Sequence, residues 1–106
     1  MISWLYLFVA AIFEIGWPFG LKMASLGNNK ILWIIFAVLA MILSGIFLFI
    51  AQKNIPIGTA YAVWTGIGAS FTFLLGVFIF QDTLSLMRMF GVLLIIFGVI
   101  LLKVAN

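Results

Sequence analysis

Apolar residues run along this chain in four long stretches, separated by short polar connectors. The stretches occupy residues 2–21, 31–51, 58–80 and 87–102. About 20 apolar residues in a helix are enough to cross the hydrocarbon core of a bilayer. Since the connectors hold the polar residues and turn signals such as Pro56, we predict an all-α membrane protein with four transmembrane helices, forming a single domain over residues 1–106.

The composition agrees with a membrane location and narrows the chemistry. Of the 106 residues, 68% are hydrophobic and 7% are charged, whereas about a quarter are charged in a typical soluble domain. The chain has no cysteine and no histidine, which excludes disulfides, thiolate chemistry and imidazole metal sites. We expect no metal, no other cofactor and no nucleic-acid partner. We also predict no enzymatic activity, because one intramembrane acid has no partner for acid–base chemistry.

The basic residues are divided almost evenly between the two sides of the membrane. With four spans, Lys53 and Lys103 lie on the side of the N-terminus, while Lys22, Lys30 and Arg88 lie on the other. An excess of Lys and Arg in cytoplasmic loops normally sets the orientation. Two against three is a weak bias, so the sequence permits insertion in both directions followed by antiparallel pairing, as well as a single topology.

Glu14 is one of only two acidic residues, and it interrupts the first apolar stretch. A charged side chain within the bilayer costs several kcal/mol, so such residues usually face a cavity and mark the path of an ion or substrate. The alternative is a protonated Glu14 that hydrogen-bonds another helix and holds the bundle together.

A second group of polar and aromatic residues follows one face of the third stretch. Tyr61, Trp64, Thr65 and Gly68 fall at i, i+3, i+4 and i+7, the spacing of a helical face. Aromatic rings attract cations, and hydroxyls hydrogen-bond polar solutes. The alternative is a belt of aromatic residues at the membrane interface. Gly66 and Gly68 either form a hinge or allow close packing.

Together, Glu14, Trp17, Tyr61 and Trp64 describe a cation site, with one carboxylate for charge and aromatic walls for shape. A proton is also a cation. A proton and a cationic solute would therefore compete for the same carboxylate, which is the minimum requirement for exchange.

Four helices leave little room to enclose a pathway, so we expect the chain to form oligomers. Gly91 and Gly98 lie near one face of the fourth stretch, and Gly16 and Gly20 form a pair of small residues in the first. Small residues allow membrane helices to approach closely. Each pair indicates either packing inside one subunit or a dimer seam.

At these residues the chain resembles the small multidrug resistance transporter family over essentially its whole length. The motifs are FEIGW at residues 13–17, GLK at 20–22 and GTAYAVWTGIG at 58–68. Trp17 makes the resemblance closer to the guanidinium-exporter subtype than to the quaternary-ammonium subtype.

The resemblance implies an antiparallel dimer, often with dual topology, in a bacterial-type inner (cytoplasmic) membrane that each subunit crosses several times. It also implies that Gly91 and Gly98 lie on the dimer seam.

The same resemblance implies roles for five residues of the site. Glu14 of both subunits binds substrate or protons, while Tyr61 and Trp64 shape the pocket. Trp17 and Ser44 also line the pocket and donate hydrogen bonds that hold the carboxylate.

We therefore predict a proton-coupled exporter, an antiporter of small guanidinium-type cations, that works by alternating access of an antiparallel dimer. Its partners are a small organic cation, protons, the lipid bilayer and a second copy of the chain. One alternative is a polyspecific exporter of quaternary ammonium compounds. Two others are one half of a heterodimer, and a non-transporting membrane subunit in which Glu14 is a polar contact.

Overall fold

The computed structural model describes residues 2–27 and 29–105, which form four α-helices. These are α1 (Ile2–Ser25), α2 (Lys30–Ala51), α3 (Ile57–Phe78) and α4 (Leu86–Ala105). All four are long and apolar enough to cross a membrane. The prediction of an all-α, multi-pass membrane protein with four spanning helices is therefore confirmed.

The helices differ from the apolar stretches mainly at their C-terminal ends. Helix α1 continues through Pro18 to Ser25, and α4 continues to Ala105. A helix can outlast its apolar stretch because its backbone hydrogen bonds continue into the headgroup layer, which adds about 10–15 Å to the hydrocarbon thickness. Helix α3 ends earlier than predicted, at Phe78, shortly before the chain turns through Gln81 in the left-handed region (φ 61°).

Helix α1 is central to the subunit, since it packs against both α2 and α3, while α4 packs against α3. Glycines bring α2 close to α1. A Cβ on Gly16 would lie 3.0 Å from Ala40 Cβ, and one on Gly20 would lie 3.1 Å from the carbonyl oxygen of Trp33. Small residues permit this approach. Gly16 and Gly20 therefore lie in a seam inside the subunit, which decides between the two alternatives for this pair.

The buried apolar core lies at one end of the bundle, where α1 begins, α2 ends and α3 begins. It consists of Trp4, Leu7, Ala51, Ile55, Ala60 and Val63. At the same end, Asn54 Nδ2 donates to Ser3 Oγ at 3.1 Å and joins the α2–α3 connector to α1. Helix α4 differs, because none of its described residues is buried. Most of its apolar surface is therefore available to lipid or to another subunit.

Candidate cation site

Glu14 lies in the middle of α1, on the side that meets α3. Its side chain runs over the backbone of Gly68, where an added Cβ would lie 2.6 Å from Glu14 Cγ and 3.3 Å from Glu14 Cβ. Carbon atoms in favourable contact lie about 3.5–4.0 Å apart. Glycine at position 68 therefore makes the room that the glutamate side chain uses between the two helices.

The indole of Trp17 holds the Glu14 carboxylate by a hydrogen bond. Its Nε1–H donates to Glu14 Oε1 at 2.9 Å, between residues about one helical turn apart. Among the described residues, no other side chain makes a hydrogen bond to this carboxylate. One oxygen is thus fixed in place, and Oε2 remains available to a ligand. This contact corresponds to the donor role that the resemblance implies for Trp17.

Ser44 connects three helices, but it does not donate to Glu14. Its hydroxyl donates to the carbonyl oxygen of Ala10 at 2.7 Å and accepts a hydrogen bond from Trp64 Nε1 at 2.8 Å. A hydroxyl carries a single proton, and α1 takes it at Ala10. Contrary to expectation, Ser44 therefore makes no hydrogen bond to the carboxylate. It instead accepts the hydrogen bond that fixes the indole of Trp64.

The predicted cation-site residues Glu14, Trp17, Tyr61 and Trp64 line one cavity of about 380 Å³. The rings of Tyr61 and Trp64 lie 5.4 Å apart, with their planes inclined at 56°. Tyr61 is 57% exposed and belongs to the open side of the cavity. Ser44 is only 1% exposed and supports this wall from behind, through its bond to Trp64.

Three further residues line the cavity that the sequence did not assign to the site. They are Met41 and Gly45 from α2 and Thr65 from α3. The sequence does indicate that Thr65 belongs to the site, because Thr65 lies one helical turn after Tyr61 and shares its face of α3. Met41 and Gly45 are four residues apart and share a face of α2. Because α2 is apolar almost throughout, its sequence does not show which face turns inward.

The cavity combines a carboxylate with aromatic walls, and its described lining contains no basic side chain. Aromatic faces attract cations, and a carboxylate can accept two parallel N–H bonds from a guanidinium group. An anion would instead be repelled by the Glu14 carboxylate, with no basic side chain in the described lining to offset the repulsion. The described residues contain no group of three or more side chains suited to a metal ion. A small organic cation is the ligand class that fits this cavity.

The glycines outside α1 have different surroundings. Helix α3 is uninterrupted at Gly66 and Gly68, and a Cβ on Gly66 would lie 2.6 Å from Val99 Cγ2 of α4. Close packing therefore accounts for both glycines, while their hinge role stays a prediction. A Cβ on Gly91 or Gly98 would meet no atom of another described helix within 4 Å. Their place on a dimer seam also stays a prediction.

Comparison with known proteins gives a consistent result. A family model described as Small Multidrug Resistance protein matches residues 2–95. A Guanidinium exporter from Proteus vulgaris is 42% identical over 104 residues, which cover 98% of this chain and 99% of the relative. Guanidinium exporters from Yersinia pseudotuberculosis and Escherichia coli (strain K12) are 41% and 38% identical over 104 residues, covering 98% of this chain and 99% and 98% of the relatives. These are names of exporters, in agreement with the prediction that the chain is not an enzyme.

Proposed function

The chain belongs to the small multidrug resistance family, and on that premise we propose that it exports small guanidinium-type cations in exchange for protons. One observation carries the proposal: the Glu14 carboxylate is held by the indole N–H of Trp17 in a cavity walled by Tyr61 and Trp64. The similarity to guanidinium exporters favours the same substrate class. The bacterial relatives favour a bacterial inner membrane as its location.

The substrate binds through both its charge and its shape. A guanidinium ion is planar and has N–H groups that match a carboxylate side by side, and its face stacks on aromatic rings. Glu14 supplies the charge, while the rings of Tyr61 and Trp64 limit the thickness of the cation. Trp17 keeps the carboxylate from rotating away, because its N–H remains bonded to Oε1.

Proton coupling follows from the use of one carboxylate for two cations. At 4 Å and an effective dielectric constant of 20, two unit charges attract by about 4 kcal/mol, and about 1.4 kcal/mol is a factor of ten in affinity. Protonation of Glu14 removes this attraction, so the protonated site releases the organic cation. A transporter that opens only when the site holds a proton or a substrate then exchanges one for the other.

An antiparallel homodimer is the proposed working unit, with α4 at the seam and Glu14 of both copies facing one pathway. The support is physical. Helix α4 has no buried residue in the described chain, and Gly91 and Gly98 leave its surface open to a second helix. The balanced basic residues permit opposite insertion. Two subunits in opposite orientation make the inward-open and outward-open states equivalent, which suits alternating access.

Transport by purified protein in proteoliposomes tests this function. Wild type, Glu14→Gln and Asp82→Asn are compared by the change in internal pH, read with an enclosed pH-sensitive dye, that follows addition of guanidinium and then of a tetraalkylammonium ion. Asp82 is the matched control, since it is the only other acid and lies exposed in the α3–α4 connector. We expect guanidinium to change the internal pH with wild type and Asp82→Asn, and not with Glu14→Gln.

The other outcomes favour the alternatives. A change in internal pH with tetraalkylammonium alone favours a polyspecific exporter of quaternary ammonium compounds. Absence of a pH change with either cation from folded, dimeric protein contradicts the homodimeric exporter and favours a heterodimer or a non-transporting subunit. Guanidinium transport that persists in Glu14→Gln would indicate that Glu14 is a polar contact between helices and not the binding site.

A further inference from the structure

Thr65 brings a hydroxyl group into the cation cavity for which the proposed mechanism has no role. We propose that its oxygen is a second hydrogen-bond acceptor for the substrate, which selects cations that carry N–H donors over quaternary ammonium ions. This inference deepens the proposed export function and rests on it.

Thr65 lies on the face of α3 that meets Glu14. It lines the same cavity as Glu14 and Tyr61. It comes three residues before Gly68, the glycine that the Glu14 side chain crosses, and positions three apart are neighbours on a helix surface. The hydroxyl therefore lies about one helical turn from the point where the carboxylate meets α3.

The proton of this hydroxyl is already in use. Thr65 Oγ1 donates to the carbonyl oxygen of Tyr61 at 2.8 Å and lies 3.4 Å from that of Ala62. A threonine hydroxyl has one proton and two lone pairs. With the proton directed to its own helix, Thr65 offers the cavity only an acceptor. Such bonding is ordinary for threonine in a membrane helix, but here the residue also lines a cavity that holds a carboxylate.

The other polar groups of the site make an acceptor useful. The indole N–H groups of Trp17 and Trp64 both donate to protein oxygens. Apart from the hydroxyl of Tyr61, which can donate or accept, the site therefore presents acceptors, chiefly Glu14 Oε2 and Thr65 Oγ1. A guanidinium ion has only donors, and those not bonded to the carboxylate need another acceptor when water is displaced. A tetraalkylammonium ion has no N–H and gains nothing from Thr65.

Two substitutions separate the hydroxyl from the shape of the side chain. Thr65→Val keeps the branched shape and removes the oxygen, while Thr65→Ser keeps the oxygen and removes the methyl group. Dissociation constants are measured by titration calorimetry on folded dimers in detergent, with guanidinium and with tetramethylammonium as probes. We expect Thr65→Val to weaken guanidinium binding about tenfold, the effect of one lost hydrogen bond to a charged group. Thr65→Ser should remain within about twofold of wild type, as the hydroxyl is retained.

Three results with the Thr65 variants would overturn the inference. The first is unchanged guanidinium affinity in Thr65→Val. The second is an equal loss in the serine and valine variants, which would indicate packing instead of hydrogen bonding. The third is an equal loss for guanidinium and tetramethylammonium in Thr65→Val. If wild type binds tetramethylammonium but not guanidinium, the proposed substrate class itself is wrong, and the selectivity assigned to Thr65 fails with it.

Discussion

Replacing Gly68 by alanine is expected to displace the Glu14 carboxylate while every polar group of the site is retained. The added Cβ would lie 2.6 Å from Glu14 Cγ, and relief of the overlap to a contact of about 3.5 Å requires a shift of about 1 Å. A shift of this size breaks a hydrogen bond between the carboxylate and a bound cation. Hydrogen bonds to charged groups contribute about 1.5–3 kcal/mol, so guanidinium should bind about 10- to 100-fold more weakly.

The control is Gly58→Ala, at the start of the same helix, where an added Cβ meets nothing within 4 Å in the described structure. Both variants add one methyl group to α3, but only the one at position 68 overlaps another side chain, so a loss of binding in Gly68→Ala alone is attributed to the overlap with Glu14. Titration calorimetry with guanidinium gives both dissociation constants. If Gly68→Ala binds within about twofold of Gly58→Ala in folded dimers, the observed position of Glu14 is not the one that binds substrate.

Three further predictions concern the same cavity. Trp17→Phe keeps an aromatic wall but removes the hydrogen bond to Glu14, so calorimetry should show weaker guanidinium binding, by about tenfold; unchanged affinity would contradict the holding role of Trp17. Ser44→Ala removes the acceptor of the part-buried Trp64 indole, a loss of about 1 kcal/mol for one hydrogen bond; thermal unfolding in detergent should occur at lower temperature, and an unchanged midpoint would argue against this bond. Acidification protonates Glu14, so the apparent guanidinium affinity should fall up to tenfold per pH unit once a single protonation dominates, and a pH-independent affinity would exclude competition.

Helical periodicity predicted the parts of the site that depend on one helix. Tyr61 and Trp64 share a face because they are three residues apart, and Trp17 reaches Glu14 across a single turn of α1. These relations hold for any regular helix, whichever way it is rotated in the bundle. The aromatic and acidic residues of the cavity could therefore be predicted without knowing how the helices pack.

Contacts between helices could not be predicted in the same way. Ser44 bonds to Ala10, 34 residues away, and Gly68 meets Glu14 only because α1 and α3 pack with one particular rotation. In a membrane, lipid tails are as apolar as leucine, so an apolar pattern does not indicate which face is buried. For this reason the sequence left Gly68 open between hinge and close packing. The family resemblance implied that Ser44 donates to the carboxylate, but the packing of the three helices directs its hydroxyl to Ala10.

In the proposed mechanism, Glu14 binds either a proton or a guanidinium ion. The most direct test is to measure whether protons are released when guanidinium binds. Guanidinium is added to folded dimers in weakly buffered detergent solution, across the pH range in which the site titrates, and the pH change is recorded for wild type, Glu14→Gln and Asp82→Asn. We expect guanidinium to displace protons from wild type and from Asp82→Asn, and no proton release from Glu14→Gln. Saturating guanidinium binding to wild type without proton release at any pH in that range would contradict a shared site.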